Sequence, residues 1–120
     1  MIHYIDELYL TDKTEKNLSK IKRKLRLGAG TLSLYVIMLS KNGSDVFEIV
    51  PAQMFKIRKY RHMDHTIVGF AETRRKAYEI IEQLITEHFM RTGQYTGLRE
   101  DYFNLFMNNA GQNTADGVTS

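Results

Sequence analysis

The apolar positions in residues 12–27 recur at helical spacing. Three of them fall within a stripe of about 60° on a helix: Leu18, Ile21 and Leu25. Asp12, followed three residues later by Glu15, has the spacing of an N-cap with its capping-box partner. Gly28 stands where a left-handed residue commonly ends a helix. The pattern predicts a first helix over residues 12–27.

Strand-like runs follow on both sides of Asn42-Gly43, the preferred centre of a tight hairpin turn. With these two residues as the loop, Met38 pairs with Phe47, and one face of the hairpin is entirely apolar. That face, expected to meet the core, carries Leu32, Leu34, Val36, Met38, Phe47 and Ile49. The other face is also apolar enough to need partial cover, with Tyr35, Ile37, Leu39, Val46 and Val50. A shift of one residue would exchange the faces.

A third strand, His65–Ala71, precedes a second helix that begins near Arg74 and ends at Gly93. Its predicted buried stripe is Ala77, Ile80, Ile81, Leu84, Ile85, His88 and Phe89. A short amphipathic helix is expected around Leu98, Tyr102, Leu105 and Phe106. Residues 2–10 fit either a short strand or an extended arm.

These elements predict an α+β fold: a three-stranded antiparallel sheet with two main helices on one face, in the order α-β-β-β-α, plus the short C-terminal helix. A chain of 120 residues can bury one core, so we expect a single domain over residues 1–107. Residues 108–120 are rich in Asn, Gly, Thr and Ala, and we expect them to be disordered.

The composition offers little for catalysis. Cysteine is absent, which excludes thiolate chemistry and fits a cytoplasmic protein, and the longest apolar run, Leu34–Leu39, is too short to span a membrane. The four histidines lack the spacing of a metal motif, and no nucleophile elbow is present. The glycines at positions 28 and 30 follow a helix, whereas a phosphate loop precedes one. We expect no enzyme, no metal and no cofactor.

Basic residues occur in three clusters, although the net charge is only +3. They are Lys20, Arg23 and Lys24 in the first helix, Arg58, Lys59 and Arg61 before the third strand, and Arg74, Arg75 and Lys76 at the start of the second helix. The first cluster suits the negative end of the helix dipole, and the second flanks Tyr60 as in single-strand binders. The third cluster lies at the positive end of its helix dipole, where cations are disfavoured, and this conflict favours a phosphate site there. The alternative is that a nearby acid such as Glu72 neutralises the effect of these bases.

The segment Gly69–Ala77, GFAETRRKA, resembles the Gly-x-Gly-x-Ser-Lys-Lys-x-Ala motif of double-stranded-RNA-binding domains, which are α-β-β-β-α. The resemblance implies that Arg74 and Arg75 contact phosphates across an RNA major groove. It also implies minor-groove contacts from the first helix and from the hairpin loop at Lys41-Asn42. The overall layout is also similar to small proteins of Gram-positive bacteria, which implies no function.

Two functions remain open. The first is a binding module that contacts the nucleic-acid backbone without sequence specificity, through the nine bases of the three clusters. The alternative is a protein-interaction or assembly module, with a protein partner or as a homodimer. The apolar second sheet face and the aromatic residues of the C-terminal helix (Tyr102, Phe103 and Phe106) would form its contact surface.

Overall fold

The computed structural model describes residues 1–28, 33–40 and 46–93. In chain order, its elements are β1 (Ile2–Leu10), α1 (Asp12–Lys16), α2 (Leu18–Leu27), β2 (Tyr35–Leu39), β3 (Phe47–Pro51), a 3₁₀ helix (Ala52–Lys56), α3 (Arg58–Arg61), β4 (His65–Ala71) and α4 (Arg74–Thr92). The predicted C-terminal helix, the hairpin turn, and the proposed limits of the domain and tail lie outside the described residues. Within the described ranges, no helix is long and apolar enough to cross a membrane.

The strands form one mixed sheet in the order β1-β4-β2-β3. β2 runs antiparallel to both of its neighbours, as expected, but β1 lies at an edge and runs parallel to β4. The α+β class is therefore confirmed, whereas the prediction of three antiparallel strands was wrong. Residues 2–10 form a strand, and both other strands, β2 and β3, lie between β1 and β4 in the chain. The pairing of β1 with β4 is therefore long-range, and local sequence patterns do not reveal it.

Helices cover both faces of the sheet, so the prediction of helices on one face was also wrong. α2 and the 3₁₀ helix pack on one side, where the buried residues include Ile21, Leu25, Val36, Met38, Val50, Phe55, Ile67 and Phe70. α4 covers the other side, where they include Ile37, Leu39, Val68, Ala77, Ile80 and Leu84. Both faces of the central strands are apolar, and burying each of them requires a separate layer of helix.

The hairpin register differs by one residue from the prediction. Phe47 pairs with Leu39, and Val50 pairs with Val36. The shift turns Val50 toward α2 and Phe47 toward α4. Because helices cover both faces, apolar alternation along β3 does not separate a core face from a solvent face and so does not fix the register of the hairpin.

The first predicted helix is divided at Asn17 into α1 and α2. Its N-cap is Thr11 rather than Asp12, and Thr14 completes the capping box. The Thr14 hydroxyl also donates to the carbonyl of Phe70, which fastens α1 to β4. The predicted stop at Gly28 is confirmed, because this glycine ends α2 with a φ of 64°.

The bounds of β4 and the start of α4 agree with the prediction. Along the parallel pair, Tyr4 lies opposite Ile67 but Tyr9 lies opposite Gly69, so the intervening part of β1 bulges out of the ladder. The backbones approach closely there, and a Cβ on Gly69 would lie 2.3 Å from the Tyr9 carbonyl oxygen.

Candidate nucleic-acid interface

α2 concentrates positive charge beside the sheet. Its sequence, LSKIKRKLRL, contains five basic residues and no acid. Ile21 and Leu25 are buried against the sheet, so the bases emerge on the outer surface and on both flanks of the helix. Lys20 and Arg26 are six residues apart, which places the charge along about 9 Å of the helix axis.

A groove of about 740 Å³ lies between α2, the first half of β1 and the end of α3; we call it the α2–β1 groove. Four cations line it: Lys22, Arg23, Arg26 and Arg61. Ile2 and Tyr4 supply an apolar floor, and no carboxylate occurs among the described residues that line the groove. An anion in this groove would meet several positive charges. The Asp64 carboxylate, which lies 3.3 Å from the amino nitrogen of the lining residue Met1, is outside the described lining.

Tyr4 joins the groove to the core. Its ring lies 6.3 Å from the ring of Phe70, and the Lys22 ammonium lies 4.6 Å from its centroid on the groove side. Burial raises the pKa of Tyr4 to about 12, although the nearby Arg26 acts to lower it. The phenol is neutral near pH 7, as an unperturbed tyrosine also is, and it adds no negative charge to the groove.

Arg61 lines the groove and also connects the 3₁₀ helix to the end of α2. Its Nη1 atom donates to the Phe55 carbonyl at 2.9 Å and lies 3.5 Å from the Lys56 carbonyl. The guanidinium also lies against Gly28, where an added Cβ would be 1.7 Å from Nη1. The absence of a side chain at Gly28 thus gives Arg61 its place beside the end of α2, a second use of this glycine that the sequence did not reveal.

A smaller groove of about 200 Å³ lies on the other flank of α2. Lys13, Lys20 and Lys24 line it, but so does Glu72. A hydrogen bond from the Thr11 side chain is the main cause that lowers the pKa of Glu72, with further lowering by its own backbone amide and by Lys76. Glu72 is therefore a carboxylate at neutral pH, and it offsets part of the lysine charge.

The bases that open α4 all have partners within the molecule. The Arg74 guanidinium lies 5.0 Å from the centroid of the Tyr35 ring, and Nε of Arg75 lies 3.6 Å from Oε2 of Glu79. Nζ of Lys76 lies 3.2 Å from Oε2 of Glu72. These contacts ease the conflict with the helix dipole, although exposed ion pairs contribute little and do not prevent ligand binding.

The structure therefore divides the nine predicted residues among four places. Arg23 and Arg61 share the α2–β1 groove, and Lys20 and Lys24 share the smaller groove with the Glu72–Lys76 pair. Arg74 and Arg75 lie with α4 on the opposite face of the sheet. Arg58 and Lys59 are exposed on α3, outside the described lining of both grooves.

Sequence reasoning missed Lys22 and Arg26, which line the main groove, and Lys13, which lines the smaller one. Lys22 and Arg26 belong to the same KIKRKLR run as the predicted bases, so the signal was present. Their importance depends on β1, whose position beside α2 local patterns did not indicate.

The surface that motivated the protein-interaction alternative is largely covered. Ile37 is fully buried and Leu39 is nearly so beneath α4, and Tyr35 is half-buried there. Val50 faces α2 instead. The aromatic residues at positions 102, 103 and 106 lie outside the described ranges.

No protein-family model matches the sequence, and neither the curated proteins nor the solved structures include a significant match.

Proposed function

We propose that this protein is a non-enzymatic module that contacts the phosphate backbone of nucleic acid along α2, without sequence specificity. The observation that supports it best is the α2–β1 groove, in which Lys22, Arg23, Arg26 and Arg61 lie around a common space with no carboxylate among the described lining residues. Backbone phosphates are the abundant anions that a row of such side chains fits.

The remaining predicted bases have supporting roles in this proposal. Lys20 and Lys24 extend the positive surface across α2, and Lys76 reduces the charge of Glu72 beside them. Arg58 and Lys59 lengthen the path beyond α3. Arg74 and Arg75, which the double-stranded-RNA-binding motif would place on phosphates, add a separate contact region on the α4 side.

The groove sets the expected salt dependence. If its four cations each neutralise one phosphate, the logarithm of the binding constant falls with the logarithm of salt concentration with a slope of about −3.6 for duplex DNA and about −2.8 for a single strand. Between 50 and 200 mM salt, duplex binding then weakens about 150-fold.

The test is fluorescence anisotropy with labelled oligonucleotides over a series of salt concentrations. The double variant Arg23→Ala/Arg26→Ala should reduce the duplex slope by about 1.8 and weaken binding at ~50 mM salt. Arg74→Ala/Arg75→Ala removes the same charge on the α4 side and should have the smaller effect. Circular dichroism checks that both variants fold.

Absence of salt-sensitive binding by the wild-type protein at ~50 mM salt would overturn the proposal. Equal losses in the two variants would mean that net charge, and not the α2–β1 groove, drives the binding.

A further inference from the structure

The floor of the α2–β1 groove differs in chemistry from its rim. Ile2 and Tyr4, which we call the floor, are half-buried and offer apolar and aromatic surface; the four cations, which we call the rim, include the exposed Arg23 and Arg26. A ligand that fills the groove must offer apolar or aromatic surface to the floor and negative charge to the rim.

We propose that the occupant of this groove is a single-stranded nucleic acid, with a base against Tyr4 and Ile2 and the adjoining phosphates on Lys22, Arg23 and Arg26. The proposal rests on the proposed function and names the class of nucleic acid. Single strands expose flat bases and phosphates side by side, which is the combination that grooves with basic and aromatic residues bind.

A duplex matches only half of this surface. Its bases are stacked inside the helix, and its outer surface presents phosphates and sugars. It would engage the cationic rim and leave Ile2 and Tyr4 without a partner. The concave space of about 740 Å³ is large enough for a ligand group to enter, and a duplex that rests on the rim leaves it empty.

In the free protein, Lys22 occupies the position over the Tyr4 ring that a base would take. Its ammonium lies over the Tyr4 ring at 4.6 Å from the centroid. A lysine side chain has a flexible stem, so Lys22 can move to a phosphate while a base takes its place over the ring. The ring is a neutral phenol near pH 7, as a tyrosine of ordinary or raised pKa is.

The smaller groove provides an internal comparison. It has three lysines but also Glu72, and its described lining contains no aromatic ring. It lacks a platform for stacking, and its carboxylate repels a phosphate. The combination of cations with an aromatic floor is therefore found at the α2–β1 groove and not at its neighbour.

The experiment compares three oligonucleotides of equal length on the wild-type protein: a single strand, the same strand in a duplex, and an abasic single strand with the same phosphates. The single strand should bind about 5- to 150-fold more tightly than the abasic strand, which is the effect of stacking one base. The salt slopes of these two strands should agree, because they carry equal charge. The duplex should bind more weakly than the single strand.

Tyr4→Leu keeps an apolar floor but removes the ring, and it should reduce the preference for the single strand over the abasic strand. Tyr78→Leu is the matched control, since Tyr78 is an exposed tyrosine of α4, distant from the groove, and the preference should persist. The oligonucleotide comparison on the wild-type protein remains decisive even if Tyr4→Leu does not fold.

Three results would overturn the inference. Salt-dependent binding that is equal for the single strand and the abasic strand would leave the proposed backbone contact intact and remove the base contact. Tighter binding of the duplex would do the same. Poly-glutamate of equal charge that binds as tightly as the single strand would indicate an acidic protein segment as the occupant. Failure of all oligonucleotides to bind would instead reject the proposed function.

Discussion

Gly28→Ala tests the contact between the end of α2 and the 3₁₀ helix. An alanine at a φ of 64° adds about 1 kcal/mol of backbone strain, and its Cβ would overlap the Arg61 guanidinium. If Arg61 moves away, its charged hydrogen bond to the Phe55 carbonyl is lost, at about 1.5 kcal/mol for a half-exposed group. The total of about 2.5 kcal/mol should lower the melting temperature by about 10–20 °C.

A double-mutant cycle separates the two contributions. Arg61→Ala alone should destabilise by about 1.5 kcal/mol, because it removes the same hydrogen bond. In Gly28→Ala/Arg61→Ala this hydrogen bond is lost only once, so the double variant's loss in free energy of unfolding should be about 1.5 kcal/mol smaller than the sum of the two single losses. Urea unfolding followed by circular dichroism gives the three free energies. Additive effects would show that Arg61 does not depend on the open space at Gly28, and the reasoning would fail.

Two further predictions concern β1 and its neighbours. Gly69→Ala should destabilise by about 3 kcal/mol, because the new Cβ would lie 2.3 Å from the Tyr9 carbonyl oxygen, a backbone atom held in the sheet. Gly93→Ala is the control in thermal melts, because a Cβ added at Gly93 meets no atom within 4 Å. This variant should lose only about 1 kcal/mol of stability, through its φ of 76°. Equal losses of stability in the two variants would contradict the close approach of the backbones at Gly69. Tyr4 has a raised pKa, so its contribution to stability is complete below pH 10 and is lost as the pH rises through about 12. That contribution has an upper limit of about 2.7 kcal/mol and is about 1 kcal/mol after allowance for partial exposure. Tyr4→Phe should therefore lose less stability between pH 9 and 11.5 than the wild type in urea unfolding, and parallel losses would refute the assignment.

The parts of the fold that depend on local chemistry were predictable. Gly28 and Gly93 end helices because each takes a left-handed conformation, and the apolar run His65–Ala71 is long enough for one strand. Spacing alone also finds the centre of the α4 stripe, because Ala77, Ile80, Leu84 and His88 are buried, whereas the other three predicted residues are half-buried: Ile81, Ile85 and Phe89.

The long-range arrangement could not be predicted in the same way. The parallel pairing of β1 with β4 joins residues more than 50 positions apart, and its register changes at a bulge. The hairpin register depends on which helix covers which face, and that order is a property of the whole fold. The break at Asn17 is not visible in the apolar spacing, and the hydrogen bond that fastens α1, from Thr14 to the Phe70 carbonyl, reaches a strand far away in the sequence.

The candidate site depends on the same long-range arrangement. The basic run of α2 is evident in the sequence, but its meaning changes when β1 and Arg61 form a groove beside it. The apolar residues near the N-terminus were open to two structural interpretations, and neither connected Tyr4 with Lys22. A site assembled from β1, α2 and the end of α3 therefore has no local sequence motif.

Two criteria for a functional base now give different answers. Conflict with the helix dipole selects Arg74, Arg75 and Lys76, but Tyr35, Glu79 and Glu72 accompany them, and such partners explain why these bases are tolerated. The bases of α2 agree with the dipole toward its C-terminal end, so local energetics raise no question about them.

Compensation by neighbours is the more informative criterion. A cation with a nearby acid, such as Arg75 or Lys76, already has part of its charge neutralised. At the rim of the α2–β1 groove, Lys22 contacts the Tyr4 ring and Arg61 donates to the Phe55 carbonyl, but no acid is among the described lining residues. Mutual repulsion of such charges disfavours the free protein and is relieved when an anion binds. The paired variants Arg23→Ala/Arg26→Ala and Arg74→Ala/Arg75→Ala therefore test the two criteria directly. The larger loss of affinity identifies which kind of conflict, with the helix dipole or among the cations themselves, marks the binding surface.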